Sequence, residues 1–279
     1  MVIYSSTPRT PAPGRPAAGA TPTDAAAREP SLRPVRTFAL IALPLGWAIL
    51  SLPLLLGLPV DPFVLPTVLF ALLVPALLIT RREAGGTEVR ALLRGSVRLP
   101  RPLWWGLAAV TVIPAVTWLA AAALGGAQPL TSALVVGYLV DLVVAAALVN
   151  VWEETAWTGF AQRRLAARWG AIRGSAVTAA LFAGIHLPLA FQGRIAAITV
   201  LLGVAVLFVT AIGLRLVIGY VDGWSSRSLL TIGLLHASFN GAADLVNPSH
   251  DWVRLAVTVA IGLALAAFAG RRRLTRSPN

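Results

Sequence analysis

The chain has no cysteine and no lysine, and only 12% of its 279 residues are charged. Without cysteine there is no disulfide, no thiolate metal ligand and no thiol nucleophile. Any bound metal would need His, Asp or Glu as its ligands. Soluble domains carry about 25% charged residues, so this scarcity, beside 57% hydrophobic residues, excludes an ordinary soluble fold. Only three histidines are present, which leaves few groups that titrate near neutral pH.

What fills the chain instead is a series of long apolar runs. A bilayer-crossing helix needs about 20 mostly apolar residues. The runs predict an all-α, polytopic membrane protein with about eight transmembrane helices, near 36–56, 62–80, 103–124, 132–152, 174–190, 196–218, 228–246 and 252–269. Pro44, Pro53, Pro66 and Pro75 fall inside the first two and are expected to kink them. Residues 153–169 read as a short amphipathic segment after the fourth span. Residues 1–35, rich in Pro, Ala, Thr and Arg, read as a disordered cytoplasmic tail, and they lack the apolar core of a signal peptide. Residues 36–270 form the helical membrane domain, and 271–279 a basic cytoplasmic tail.

All the positive charge is arginine, and its distribution argues against a nucleic-acid partner. With eight alternating spans and a cytoplasmic N-terminus, 21 of 23 arginines fall on one side, Arg215 and Arg227 being placed in a turn there. Only Arg194 and Arg254 fall on the other side. Cytoplasmic loops carry the excess of positive residues, so both termini are expected in the cytoplasm. The expected location is the plasma membrane of a bacterial cell, given an arginine-only and alanine-rich composition.

Ionisable residues inside a membrane are costly and usually face a bundle interior or a wet cavity. Here they are Asp141, Glu153, Glu154, His186, His236 and Asp244, with the amides Asn150 and Asn240. Glu153 and Glu154 are adjacent at the expected end of the fourth span, and on a helix they point about 100° apart. One carboxylate could serve as a general base while the other orients a partner or grips substrate backbone. His236 and Asn240 stand four residues apart, hence on one helix face, and could address one water or one metal ion. His250 falls in a loop and is expected to be solvated.

The ordered set Glu153-Glu154, Phe182-x-x-x-His186 and His236-x-x-x-Asn240 resembles the CPBP family of CAAX proteases and bacteriocin-processing enzymes. The resemblance covers about residues 130–250. It implies an eight-helix, glutamate-dependent intramembrane endopeptidase in which Glu153 activates water. In that scheme His186, His236 and Asn240 position the water or stabilise the oxyanion, Glu154 supports the site or grips the substrate, and Phe182 binds substrate or supports the site. The family's first motif usually has an arginine five positions after its first glutamate; here that position is Thr158. Either a later arginine such as Arg163 substitutes, or activity is reduced or specialised. His186, His236 and Glu153 would suffice for a zinc site with an open position, and equally for metal-free water activation. The implied partners are the bilayer and a membrane-associated peptide or protein substrate.

Two other readings remain. A proton- or ion-coupled transporter would need Asp141 or Asp244, but the polar residues are confined to one half of the chain and no repeat pairs the halves. A non-catalytic scaffold of the same fold is the other, and Thr158 is the residue that favours it.

Overall fold

The computed structural model describes residues 31–193 and 196–274, so residues 1–30 of the tail expected over residues 1–35, the last five residues, Arg194 and Ile195 lie outside the described residues. The described residues form one compact unit. Among the described residues there are helices and short helical turns, with one isolated antiparallel bridge between Ala127 and Val246.

Seven helical stretches follow one another. They are α1 (Arg33–Leu56), α2 (Asp61–Ser96), α3 (Trp104–Ala123), α4 (Ser132–Ile185), α5 (Ala197–Trp224), α6 (Leu229–Gly241) and α7 (Asp251–Leu274). Two of them are broken at glycines with positive φ: α2 at Gly85 and α4 at Gly170. At Gly170 (φ 81, ψ 166) the chain turns back on itself. A Cβ placed at Gly174 would lie 2.6 Å from the backbone nitrogen of Ala166, which shows how tight this reversal is.

Six helices among the described residues are long and apolar enough to cross a membrane. The expected count of eight differs for two physical reasons. The fourth and fifth expected spans lie within the single 54-residue α4, joined through Gly170. The seventh expected span is α6, only 13 residues long. Nine of the 13 residues of α6 are buried by protein, so the bilayer thickness does not set its length.

The structure corrects several boundaries: α1 already begins at Arg33, inside the expected tail, and α2 runs past residue 80 to Ser96. Residues 153–169 are no separate amphipathic segment: α4 runs through them, and Thr155–Gln162 are all buried. Glu153 and Glu154 therefore lie inside a helix rather than at its end. Arg215 is not in a turn, because α5 continues to Trp224 and covers it completely. At the other end, α7 extends through Arg271–Arg273 to Leu274.

The outside of the bundle is apolar. Leu40, Leu55, Leu107, Val136 and Leu201 are exposed, and along Ser132–Ala145 only Leu142 is buried. Such a continuous apolar surface fits lipid rather than water. The interior is held by an aromatic cluster in which Phe38 packs edge-on to Trp157 with ring centres 5.4 Å apart, and Trp157 meets Phe182 at 6.0 Å.

Polar contacts tie the links together at each end of the bundle. At one end, Ser226 Oγ donates to Arg101 O at 3.1 Å, and Arg163 pairs with Asp222 and donates to Arg227 O at 3.0 Å. At the other, Asn247 N donates to Gly126 O at 2.8 Å and Gln128 N to Leu245 O at 2.9 Å.

The backbone at Gly170 lies in a region that only glycine enters without strain, at a cost of about 1–3 kcal/mol for other residues. Gly170→Val is therefore expected to lower the thermal unfolding temperature in detergent micelles. An unchanged temperature would mean that the reversal at Gly170 can relax freely.

Candidate functional site

The carboxylates of α4 sit between two π-helical stretches, Ala146–Asn150 and Thr155–Gln162. A π turn widens the helix and shifts the register of the next turns, and such turns recur at functional sites. Glu154 is fully enclosed and Glu153 is 6% exposed. Opposite them, α6 approaches without a gap. A Cβ at Gly233 would lie 2.7 Å from Val151 Cα and 2.5 Å from Val151 Cγ2. Only glycine permits this contact, and it brings His236, one turn further along α6, against Glu154.

His236 Nδ1 is 2.7 Å from Glu154 Oε1 and 3.7 Å from Glu153 Oε2. An ionised carboxylate only accepts hydrogen bonds, so Nδ1 carries a hydrogen, and in this tautomer of the neutral ring the lone pair is on Nε2. His186 is arranged alike. Its Nδ1 donates to Phe182 O at 2.7 Å, which again leaves the Nε2 lone pair available. His186 occupies the position just after the end of α4, where Trp47 Nε1 of α1 donates to Gly184 O at 2.7 Å.

The charge of Glu154 is balanced by Arg215, a residue that the even alternation of spans assigns to a turn. Arg215 reaches in from α5. Its Nη1 donates to Glu154 Oε2 at 2.7 Å and its Nη2 to Glu154 Oε1 at 2.9 Å, with both side chains fully buried. This is the two-pronged geometry in which guanidinium meets carboxylate best. The guanidinium also lies 4.2 Å over the Phe182 ring, a cation–π contact that strengthens when water is excluded. Thr158 Oγ1 donates to Glu154 Oε2 at 2.5 Å and stands 3.4 Å from Arg215 Nη1. Thr158 thus helps hold Glu154, with the positive charge arriving from another helix.

Arg163 does not reach this cluster. It makes a double contact with Asp222, Nη2 to Oδ1 at 2.6 Å and Nε to Oδ2 at 3.0 Å. Asp141 and Asp244 are exposed and also stand apart from it. Phe182 lies beside both histidines, with ring centres 4.8 Å from His186 and 5.6 Å from His236. The sequence does carry a signal for Arg215: it interrupts the apolar run Ala211–Ile218, and an ionisable residue inside such a run marks a functional site by default.

Glu153, His186, His236 and Asn240 line one cavity of about 430 Å³, whose remaining walls are mainly apolar, including Val68, Leu72, Leu207 and Leu214. Asn150 Nδ2 is 3.5 Å from Glu153 Oε2 and braces it from the preceding turn. Glu154 and Arg215 are not among the lining residues; they lie behind the wall. Among the described residues no three His, Asp or Glu side chains are grouped so as to hold a metal ion.

The arrangement offers one carboxylate with little exposure, two imidazoles and an amide around a cavity with mainly apolar walls. That is equipment for activating a water molecule and holding an oxygen that gains charge.

No curated protein matches the chain. Residues 134–242 match a family model described as "Rce1-like: Type II CAAX prenyl endopeptidase Rce1-like". The match contains both carboxylates, Phe182, both cavity histidines, Asn240, and also Arg215. Over residues 134–242 this helical membrane protein is thus an Rce1-like domain of the CAAX-protease family.

Proposed function

We propose that the chain is a glutamate-dependent intramembrane endopeptidase that cleaves a membrane-associated peptide or protein. The observation that carries this reading is the convergence of Glu153, His186, His236 and Asn240 on one cavity while Glu154 holds the ring of His236. In the reaction, Glu153 takes a proton from a water whose oxygen attacks the scissile carbonyl carbon. The lone pair on His236 Nε2 or His186 Nε2 receives the water's other hydrogen as a hydrogen bond and sets its direction. The Asn240 amide donates to the carbonyl oxygen as it becomes an oxyanion, where each well-placed donor is worth about 3–4 kcal/mol. The tetrahedral intermediate collapses, the C–N bond breaks, and Glu153 passes its proton to the leaving amine. Glu154, Arg215 and Thr158 are positioning residues: they fix the tautomer and angle of His236 and do not touch substrate.

This scheme routes no step through a metal. We also read the chain as crossing the plasma membrane eight times, with both termini in the cytoplasm. The two breaks at Gly85 and Gly170 and the alternation of arginine-bearing links support that reading.

Three outcomes test it in proteoliposomes, with a mixture of bacterial membrane proteins and prenylated peptides as candidate substrates. Wild type is expected to yield cleavage products that Glu153→Gln and His236→Ala lack, although both variants insert normally; identical products from all three would refute the assignment. A zinc chelator is expected to leave the products unchanged. Loss of cleavage that added zinc restores would instead establish a metal step. Arg215→Met is expected to abolish cleavage and to lower stability by about 3–5 kcal/mol, the cost of leaving a buried charge alone. Full activity in that variant would remove Arg215 from the site.

A further inference from the structure

The two ends of the bundle differ in charge, and the catalytic cavity lies toward only one of them. Arginines crowd the end formed by residues 81–101, which are the last turns of α2 and the link after it, by residues 163–173 around the Gly170 break of α4, and by Arg227. Contacts from Ser226 to Arg101, and from Arg163 to Asp222 and Arg227, put these links on one face. Trp105 stacks on Trp224 at that face with ring centres 5.5 Å apart, as suits an interfacial belt. Among the described residues the opposite end is formed by links 57–60, 124–131, 186–193 and 242–250. Among the described residues its one arginine is Arg254, whose charge is matched by a double contact to Asp251 at 2.7 and 2.9 Å.

The cavity extends from the site toward this second end. Leu50 and Asn240 line it near the finishing turns of α1 and α6. Val64, Gly203 and Arg254 line it near the first turns of α2, α5 and α7, and Leu189 belongs to the link after His186. No lining residue belongs to the arginine-bearing links. Glu153 in its wall lies 17 residues before the Gly170 reversal, about 25 Å along the helix.

We propose that substrate enters from the side opposite the cytoplasm. Positive links stay in the cytoplasm, so the mouth of the cavity faces the outer leaflet and the extracytoplasmic surface. The substrate class is then an apolar segment of an exported or membrane-anchored protein at that surface. A prenylated C-terminus held in the cytoplasmic leaflet would meet the closed, arginine-bearing end of the bundle. This inference rests on the protease reading for its substrate, and on charge and cavity geometry alone for its direction.

The absence of cysteine makes the direction directly measurable. Single cysteines would be introduced into the full chain at Val64 in the cavity wall, Ser249 in the link beside its mouth and Thr87 in an arginine-bearing link. Intact cells would be treated with a membrane-impermeant maleimide before and after permeabilisation. The expected result is labelling of V64C and S249C in intact cells, and of T87C only once the membrane is opened. Labelling of T87C from outside, with S249C protected, would overturn the orientation. Labelling of V64C only after permeabilisation, or not at all, would overturn entry from the outer side. None of these readings uses activity. If the orientation holds and the reconstituted protein cleaves nothing, the protease reading fails and the direction of the cavity stands.

Discussion

A buried arginine and a buried glutamate, each fully enclosed, determine how the rest of this site is arranged. Removing two charges from water costs several kcal/mol for each ion, and their attraction offsets that only when geometry and hydrogen bonding are complete. Here both prongs of Arg215 meet both oxygens of Glu154, Thr158 takes a further position on Oε2, and the guanidinium rests on Phe182. The remaining direction of Glu154 Oε1 is taken by His236 Nδ1. One carboxylate thereby joins α4, α5 and α6 and sets which nitrogen of His236 faces the cavity.

The surrounding helices make room for this contact in ways that are costly elsewhere. The π turns on either side of the glutamates and the bare backbone at Gly233 allow α4 and α6 to meet without side chains between them. Without a hydrophobic drive between helices in lipid, close packing through small residues and internal hydrogen bonds is what associates them. The proposed division of labour follows from position: Glu153 faces the cavity and does chemistry, while its neighbour faces the protein and does not. Two adjacent residues on a helix can differ this much because they point about 100° apart.

Much of this is legible in the sequence. Apolar runs of bilayer length identify the class and the helices. The polar residues inside them single out Glu153, Glu154, His186, His236 and Asn240, whose spacing points to a known family. The part that is not legible has physical causes. Arg215 reads as a topology marker, because an arginine near the end of an apolar run is usually a loop residue; nothing local says that a partner waits on another helix. Arg163 is the nearest substitute in sequence for the Thr158 departure, yet its charge is taken up by Asp222. The continuation of α4 past Glu154 is hidden because 155–162 looks amphipathic, whereas protein buries every residue of it. Span counting from length also fails for α6, whose surroundings are protein.

The central claim, that Arg215 exists to balance Glu154 and through it to orient His236, is tested most directly by a double-mutant cycle. The unfolding free energy would be measured for wild type, Arg215→Met, Glu154→Gln and the double variant. A coupled pair predicts that the double variant is more stable than Arg215→Met alone, since no charge is then left without its partner, and that the two single effects do not add. Strict additivity across the cycle would contradict the account, because it would mean that Arg215 and Glu154 act independently.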